Sequence, residues 1–423
     1  MTAGLKLYAG MTRLFHALTP GMLKDRVKTG KEDAVRWRER LGETTMPRPD
    51  GAVVWFHGVS VGESLSALPV IECLRTERPD LFVVITTATT TSAEILSRRL
   101  PAGVIHQFAP IDTPQAAAAF LDHWRPALAV FIESDIWPNL LSGLAMRQVP
   151  RVLLSARITE KTYHGWQAWR GAMRKVLSGY SLVMAQDRAS DERLTAMGVV
   201  TAEIANLKTL GAALKVDDTA LSALDALIGE RRVILAASTH YGEDALIAHA
   251  LEPYLRDGDL LILVPRHPLK AADIRIDVEA LGLHVAQRSQ KEPLAGTTQV
   301  YLADTLGELG LFFSLADLVI MGGSFQSGVG GHNPLEPARL GKSVITGPDT
   351  FNWQGIFDEL LAAGGAFRVD SASDLAFLVG ELRAHAEAVT AADARALEVS
   401  GREAGTLDRV WSQLLPLLPE RRP

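Results

Sequence analysis

At 423 residues the chain exceeds one ordinary domain and fits two of about 200 residues each. Apolar residues make up 47% and charged residues 22%, which excludes a disordered chain, and the single cysteine, Cys73, excludes a disulfide scaffold or cysteine-rich metal site and suits a reducing compartment. The net charge of -6 is uneven: residues 1–40 hold nine Lys/Arg against four Asp/Glu, so they carry +5 and the rest -11, which points to an anionic surface as partner.

That basic segment sets Leu7, Met11, Leu14, Phe15, Leu18 and Met22 at helical spacing on one face. No apolar run reaches the about 18 residues of a spanning helix, and no signal-peptide core is present. Two readings stay open: a helix lying on an anionic leaflet, or a helix packed on its own protein body. Downstream, short apolar runs at 52–57, 82–86, 104–108, 127–133, 151–154 and 182–185 read as strands. Stretches such as 65–78 and 92–100 between them read as helices. The second half repeats the scheme with runs at 233–237, 260–265, 283–286, 299–302, 318–321 and 343–346, and its tail at 374–418 reads as helices. Continuous apolar strands alternating with helices mean parallel sheets covered on both faces. A polar helical stretch near 210–230 marks the boundary. The division is a basic amphipathic segment at 1–45, a doubly wound Rossmann-like α/β domain at 46–212, and a second at 213–423 that includes the terminal helices. Ligands of such sheets bind at the C-terminal ends of strands, and the default site is the cleft between the domains.

The stretch VVWFHGVSVGES at 53–64 contains G-x-S-x-G, the pattern of a serine nucleophile elbow. Ser60, however, follows only one strand, and the candidate partners Asp304 and His332 belong to the other domain. The stretch reads better as a strand-to-helix turn, the helix beginning near Ser64 and offering free N–H groups to an anion. Glu63 is then either a general base that takes a proton from an attacking hydroxyl or a helix N-terminal acid. In FIESDIWPN (131–139), Glu133 and Asp135 emerge at the same sheet edge, as hydroxyl-binding or acid–base carboxylates or as part of a surface turn ended by Pro138. ANLK (205–208) ends an apolar run at 201–205 and aims Lys208 at the cleft. In AASTHYGED (236–244), Ser238 and Thr239 are placed to cap a helix or donate to a phosphate. LVPRHP (263–268) sets Arg266 and His267 at a strand end, where the forked guanidinium suits phosphate. MGGSFQSGVGGHNPLEPA (321–338) follows a strand with five glycines, Gly322, Gly323, Gly328, Gly330 and Gly331, fit to wrap a phosphate. Glu336, near the start of the next helix, suits a ribose. The loop is no Walker A motif, and the first strand lacks G-x-G-x-x-G, which argues against a nicotinamide oxidoreductase.

The ordered motifs WFHGVSVGE, ESDIWPN, ANLK, STHYGE, PRHP, DTLGELGLFF and GGSF…GGHNPLEPA resemble those of the bacterial 3-deoxy-D-manno-octulosonic acid (Kdo) transferases of lipopolysaccharide assembly. The likeness runs from RWRERLG at 36–42 to GPDTFNW at 347–353. It implies a GT-B glycosyltransferase, two Rossmann-like domains facing across a cleft. Such an enzyme moves Kdo from CMP-Kdo to a hydroxyl of a lipid A precursor of the lipid IVA type, with inversion, without metal or other cofactor. It implies Glu63 as general base, and Glu133 and Lys208 as stabilisers of the transition state. Arg266, His267, Gly307, Glu308, Leu309, Asn333, Pro334, Leu335 and Glu336 are implied to bind CMP. The resemblance also implies work at the cytoplasmic face of the bacterial inner membrane, with the 1–45 segment on anionic lipids and no nucleic acid partner. The chain departs from the pattern at Glu133-Ser134-Asp135, where many members read E-T-E, and at Ala205, where many have Gly. The alternative is a GT-B enzyme that uses another nucleotide sugar.

Overall fold

The structure, a computed structural model, describes residues 3–133, 136–167, 169–211, 214–402 and 405–421. It divides into two compact units, Met1–Gly211 with Gly405–Pro423, and Ala212–Ala404.

Among the described residues the first unit holds a six-stranded sheet: β1 (Val53–His57), β2 (Phe82–Thr87), β3 (Val104–Phe108), β4 (Leu128–Ile132), β5 (Arg151–Ala156) and β6 (Leu182–Ala185). The order is β3-β2-β1-β4-β5-β6 and every pairing is parallel. The central strands β1 and β4, and β6 at one edge, are nearly continuous apolar runs because both faces are covered, whereas β3 at the other edge carries His106 and Gln107 and is only partly buried. On one face Trp55, Phe131, Phe120 and Trp124 form the packed core, and on the other Val54, Phe56, Val130 and Ile132 meet Ala67, Val70, Ile71 and Leu74 of the Val61–Glu77 helix. All of these side chains are buried, each stabilising by roughly 1–3 kcal/mol according to size.

The second unit holds β7 (Val233–Thr239), β8 (Leu260–Pro265), β9 (Val285–Gln287), β10 (Val300–Leu302), β11 (Leu318–Met321), β12 (Val344–Thr346) and β13 (Ala366–Arg368). Their order is β13-β12-β11-β7-β8-β10-β9, again all parallel. In both sheets the winding reverses beside the first strand: between β1 and β4 in one, between β7 and β11 in the other. A reversal leaves a crevice at the strands' C-terminal ends, because the two flanking connections run to opposite sides.

Four sequence expectations change. The helix after β1 begins at Val61 rather than near Ser64, because Ser60 caps it. The run at 201–205 forms only an isolated bridge, Ala185 to Ile204. β13 is an additional strand. The Thr406–Leu414 helix packs with the first unit, not with the C-terminal domain that was to contain it. Val410, Leu414 and Leu418 are buried in the cluster of Val54 and Phe56, and Arg78 donates to the Pro419 carbonyl at 2.8 Å.

The basic leading segment forms the helices Ala3–Phe15 and Thr19–Lys28. Polar contacts tie it to the first unit: the Tyr8 hydroxyl donates to Asp112 at 3.1 Å, and His16 meets the Thr113 hydroxyl at 2.8 Å. Leu5 and Leu23 are buried, whereas Leu7, Met11, Leu14 and Leu18 are 61–79% exposed. Packing on the protein body therefore accounts for two leucines and not for the stripe.

Candidate active site

In the first unit the site residues sit where β1 and β4 diverge. The strands are paired, His57 opposite Phe131, so the loops that follow them start side by side. Ser60 is the N-cap of the Val61–Glu77 helix, in extended conformation (φ -98°, ψ 168°), and its Oγ accepts from the Glu63 N–H at 3.3 Å. The Glu63 carboxylate returns the contact, accepting from the Ser60 hydroxyl at 2.8 Å and from the Val59 N–H at 2.6 Å. This is a capping box displaced by one residue, since the carboxylate takes the N–H of Val59 rather than that of the N-cap, and it fixes the carboxylate, half-buried, at the C-terminal end of β1. Gly58 lets the turn pack closely, since a Cβ there would lie 3.1–3.2 Å from Glu63 and Ser64 and would press on both. Ser60 thus lacks the strained backbone of a nucleophile elbow and spends its hydroxyl on Glu63. His57 sits beneath, fully buried, bonded through Nδ1 to the Thr86 hydroxyl at 2.8 Å, and burial lowers its pKa to about 3.

Glu133 follows β4 with φ +62°, a left-handed conformation that costs a non-glycine residue about 1–3 kcal/mol. It is buried, and the Lys208 ammonium lies 2.7 Å from its Oε1. Lys208 rides on a short 3-10 turn, Leu207–Leu210, capped by Asn206, whose Oδ1 accepts from the Lys208 N–H at 3.0 Å. The buried Ser155 hydroxyl accepts from the Leu207 N–H at 3.3 Å, which ties this turn to the end of β5. Ser134 and Asp135 lie outside the described residues.

In the second unit the β7 and β11 loops meet in the same way. Glu243, buried in the first turn of the Glu243–Arg256 helix, accepts the N–H of His240 (2.8 Å), Gly323 (2.7 Å) and Phe325 (2.9 Å). One carboxylate therefore fixes both loops. The sequence reading had assigned Glu243 nothing. The available signal was the Gly-Glu pair, since Gly242-Glu243 follows β7 as Gly62-Glu63 follows β1. Gly322 is required, because a Cβ would lie 2.6–2.8 Å from the Thr239 and Ser238 backbone. Thr239 does not cap the helix but donates to Asp244.

Four basic side chains face this loop. The His240 and His332 rings are nearly parallel, with Nε2 atoms 3.1 Å apart, and His267 stands edge-on to His240 with centroids 5.5 Å apart. Arg266 and His267 are exposed at the end of β8, and among the described residues neither has a carboxylate partner. Burial first, then Arg266, lowers the His332 pKa to about 4, and burial lowers that of His240. Asn333 and Glu336 lie one turn apart, the Asn333 amide 3.5 Å from Glu336 Oε1, with Pro334 and Leu335 buried between them. Glu308 is committed elsewhere. Arg288 grips both of its oxygens, Nε to Oε2 at 2.7 Å, which lowers the Glu308 pKa. Gly307 (φ +86°) and Leu309 flank it at the start of the Leu309–Leu315 helix. Among the described residues, no three His, Cys, Asp or Glu side chains converge as a metal site.

Two doubly wound parallel sheets, each with its polar groups at the winding reversal, define a GT-B glycosyltransferase fold. A glycosyltransferase from Rickettsia africae shares it, with a TM-score of 0.60 at 11% identity, over 88% of this chain and 100% of that one. Sequence narrows the class. Residues 35–211 match the family model described as 3-deoxy-D-manno-octulosonic-acid transferase (kdotransferase). The chain is 35% identical over 361 residues to the probable 3-deoxy-D-manno-octulosonic acid transferase, mitochondrial, of Arabidopsis thaliana, covering 81% of each. It is 32% identical to the 3-deoxy-D-manno-octulosonic acid transferase of Rickettsia bellii, over 83% of this chain and 84% of that one. The chain belongs to the Kdo transferase family of glycosyltransferases.

Proposed function

We propose that the chain transfers Kdo from CMP-Kdo to a hydroxyl of a lipid A precursor of the lipid IVA type, with inversion and without a metal. The observation that carries the reading is the pair of acids at the β1/β4 reversal: Glu63 half-exposed and held by hydrogen bonds, Glu133 buried and paired with Lys208. A sugar hydroxyl is a weak nucleophile until a base takes its proton, and Glu63 is the open carboxylate. Lys208 and Glu133 form a preorganised dipole that stabilises charge developing at the sugar. Arg266, His267, the glycine loop and Asn333 to Glu336 hold CMP, the cations taking the charge of the leaving phosphate. The exposed stripe of Leu7, Met11, Leu14 and Leu18, with Lys6 and Arg13 on the same helix, lays the leading segment on anionic lipids at the cytoplasmic face of the inner membrane. No helix among the described residues is long and apolar enough to cross a membrane.

The test is transfer from freshly generated CMP-Kdo to a tetra-acylated lipid A precursor, read by mass spectrometry for the wild type and Glu63→Ala. Added Kdo mass in the wild type, lost in a variant that still binds CMP, supports substrate and base together. A folded wild type that transfers nothing would point to another nucleotide sugar. Full activity in Glu63→Ala would remove the proposed base.

A further inference from the structure

We propose that His240 and His332 act as one proton-carrying unit, which charges when a nucleotide phosphate enters the second unit and passes that proton to the phosphate as it leaves the sugar. The inference rests on the reading of this unit as the nucleotide site. His240 follows β7 and His332 closes the glycine loop after β11, so both stand at the winding reversal. A Cβ on Gly323 would lie 2.9 Å from the His332 ring, so the loop that would wrap the phosphate runs directly against the imidazole.

The pair's chemistry follows from its spacing. At 3.1 Å between Nε2 atoms, one nitrogen carries a hydrogen and the other offers a lone pair. The pair therefore exists with two ring protons, neutral, or with three, singly charged; a fourth would set two N–H groups against each other. The groups facing it are Arg266 and His267 from the end of β8, and Glu243 from the Glu243–Arg256 helix. Glu243 spends its oxygens on three backbone N–H groups. Burial first, then Arg266, favours the neutral pair against the opposing pull of the Glu243 carboxylate on His240, and His332 stays at about 4. An entering phosphate reverses the sign of that field and draws in the third proton. Arg266 neutralises charge but has no proton to give at neutral pH.

In the transfer step the bond from the anomeric carbon to the phosphate oxygen breaks, and both electrons stay on that oxygen. The acceptor oxygen bonds to the carbon and its proton goes to the general base. The pair's third proton moves to the departing phosphate oxygen, so the nucleotide leaves as a monoanion and the pair returns to neutral. The base then releases its proton to solvent, which balances the proton taken up on binding.

Titration calorimetry of CMP into the full chain at pH 7, in two buffers of different ionisation enthalpy, counts the protons taken up, and comparison with His332→Gln separates those of the pair from those of the phosphate monoester, whose own second pKa is about 6. The expected result is uptake of roughly half a proton or more per CMP, with affinity falling as the pH rises. His332→Gln, native by circular dichroism, is expected to bind CMP without that uptake, with kcat lowered about 100-fold or more and the alkaline fall of its pH profile lost. Wild-type heats equal in both buffers would overturn the proton coupling and leave the nucleotide site intact. No heat with CMP at all would overturn both. A folded His332→Gln with unchanged proton uptake would place the proton elsewhere and overturn the pair.

Discussion

Asp244→Asn tests the electrostatics behind the second site through a difference that changes with pH. Asp244 is fully buried in the first turn of its helix; the Thr239 hydroxyl donates to Oδ1, and Oδ2 has no partner. Burial is the largest influence and raises its pKa from 3.8 to about 6 against the opposing Thr239 bond. An acid raised in the folded state binds more protons folded than unfolded between about 4 and 6. Its contribution to stability therefore falls as pH rises through that window. The gap, 6 minus 3.8, is 2.2 units, or about 3 kcal/mol, of which about 2 kcal/mol falls between pH 4.5 and 7.5. Asparagine keeps the acceptor for Thr239 but places N–H donors where Oδ2 had no partner, a cost of about 1–3 kcal/mol that does not vary with pH. The variant is thus less stable than the wild type at pH 4.5 and recovers toward or past it at pH 7.5. His240 and His332, lowered by burial, push wild-type stability the other way, so only the difference between variant and wild type isolates Asp244. Scanning calorimetry reads it as a swing of roughly 4–8 °C in relative midpoint, at about 2–4 °C per kcal/mol. Seven of the eight tryptophans lie in the first unit and only Trp353 in the second, so tryptophan fluorescence follows mainly the first unit and calorimetry is needed for the second. A midpoint difference that stays constant from pH 4.5 to 7.5 would refute the buried-charge argument.

Glu63→Gln keeps one acceptor oxygen, for the Val59 N–H, and turns its amide NH2 toward the Ser60 hydroxyl; it removes the base, so kcat should fall about 10²–10⁴-fold at unchanged CMP affinity. Ser60→Ala loses the cap and one of the two bonds that hold the Glu63 carboxylate, and should cost about 0.5–2 kcal/mol in denaturant unfolding followed by tryptophan fluorescence. Gly322→Ala drives a methyl into the Thr239 backbone; it should cost about 1–3 kcal/mol and weaken CMP roughly tenfold or more by calorimetry, leaving the tryptophan transition in place. Leu14→Glu with Leu18→Glu alters side chains that are 79% and 67% exposed, so cosedimentation with anionic vesicles should drop while thermal midpoints stay within about 2 °C.

The sheets were legible because most of their strands, β1, β4, β7 and β8 above all, are apolar runs buried on both faces. The strand missed, Ala366–Arg368, is three residues long and contributes one buried side chain, too little to stand out from a helix end. The 405–421 segment was misassigned for a different reason. Its apolar spacing says that Val410 and Leu414 are buried, but not against which sheet, and the chain returns across the whole second unit to reach the first. The carboxylates Glu63 and Glu133 were legible from their place after strands. Glu243 was not, since two of its partners, the N–H groups of Gly323 and Phe325, lie 80 and 82 residues away. Backbone donors also carry no side-chain identity for a motif to record.

The two halves reach their sites by one device with different content. Each first strand is followed by a glycine and a glutamate that opens a helix, Gly62-Glu63 and Gly242-Glu243, and in each the carboxylate holds the preceding turn through its backbone N–H. In the second unit that carboxylate is buried and also binds the β11 loop, so it has become part of the scaffold. In the first unit no second loop claims Glu63 among the described residues, and the side chain stays half-exposed. The β4 end then supplies what scaffold alone would not require. Glu133 holds a left-handed backbone where glycine would sit without strain, and its carboxylate is buried with one lysine rather than solvated. Asn206 and Ser155 hold the turn that carries that lysine. A fold gains little stability from strain, a buried ion pair and two residues devoted to orienting it; the proposed role, fixed charge presented to a reacting sugar, gives them a purpose.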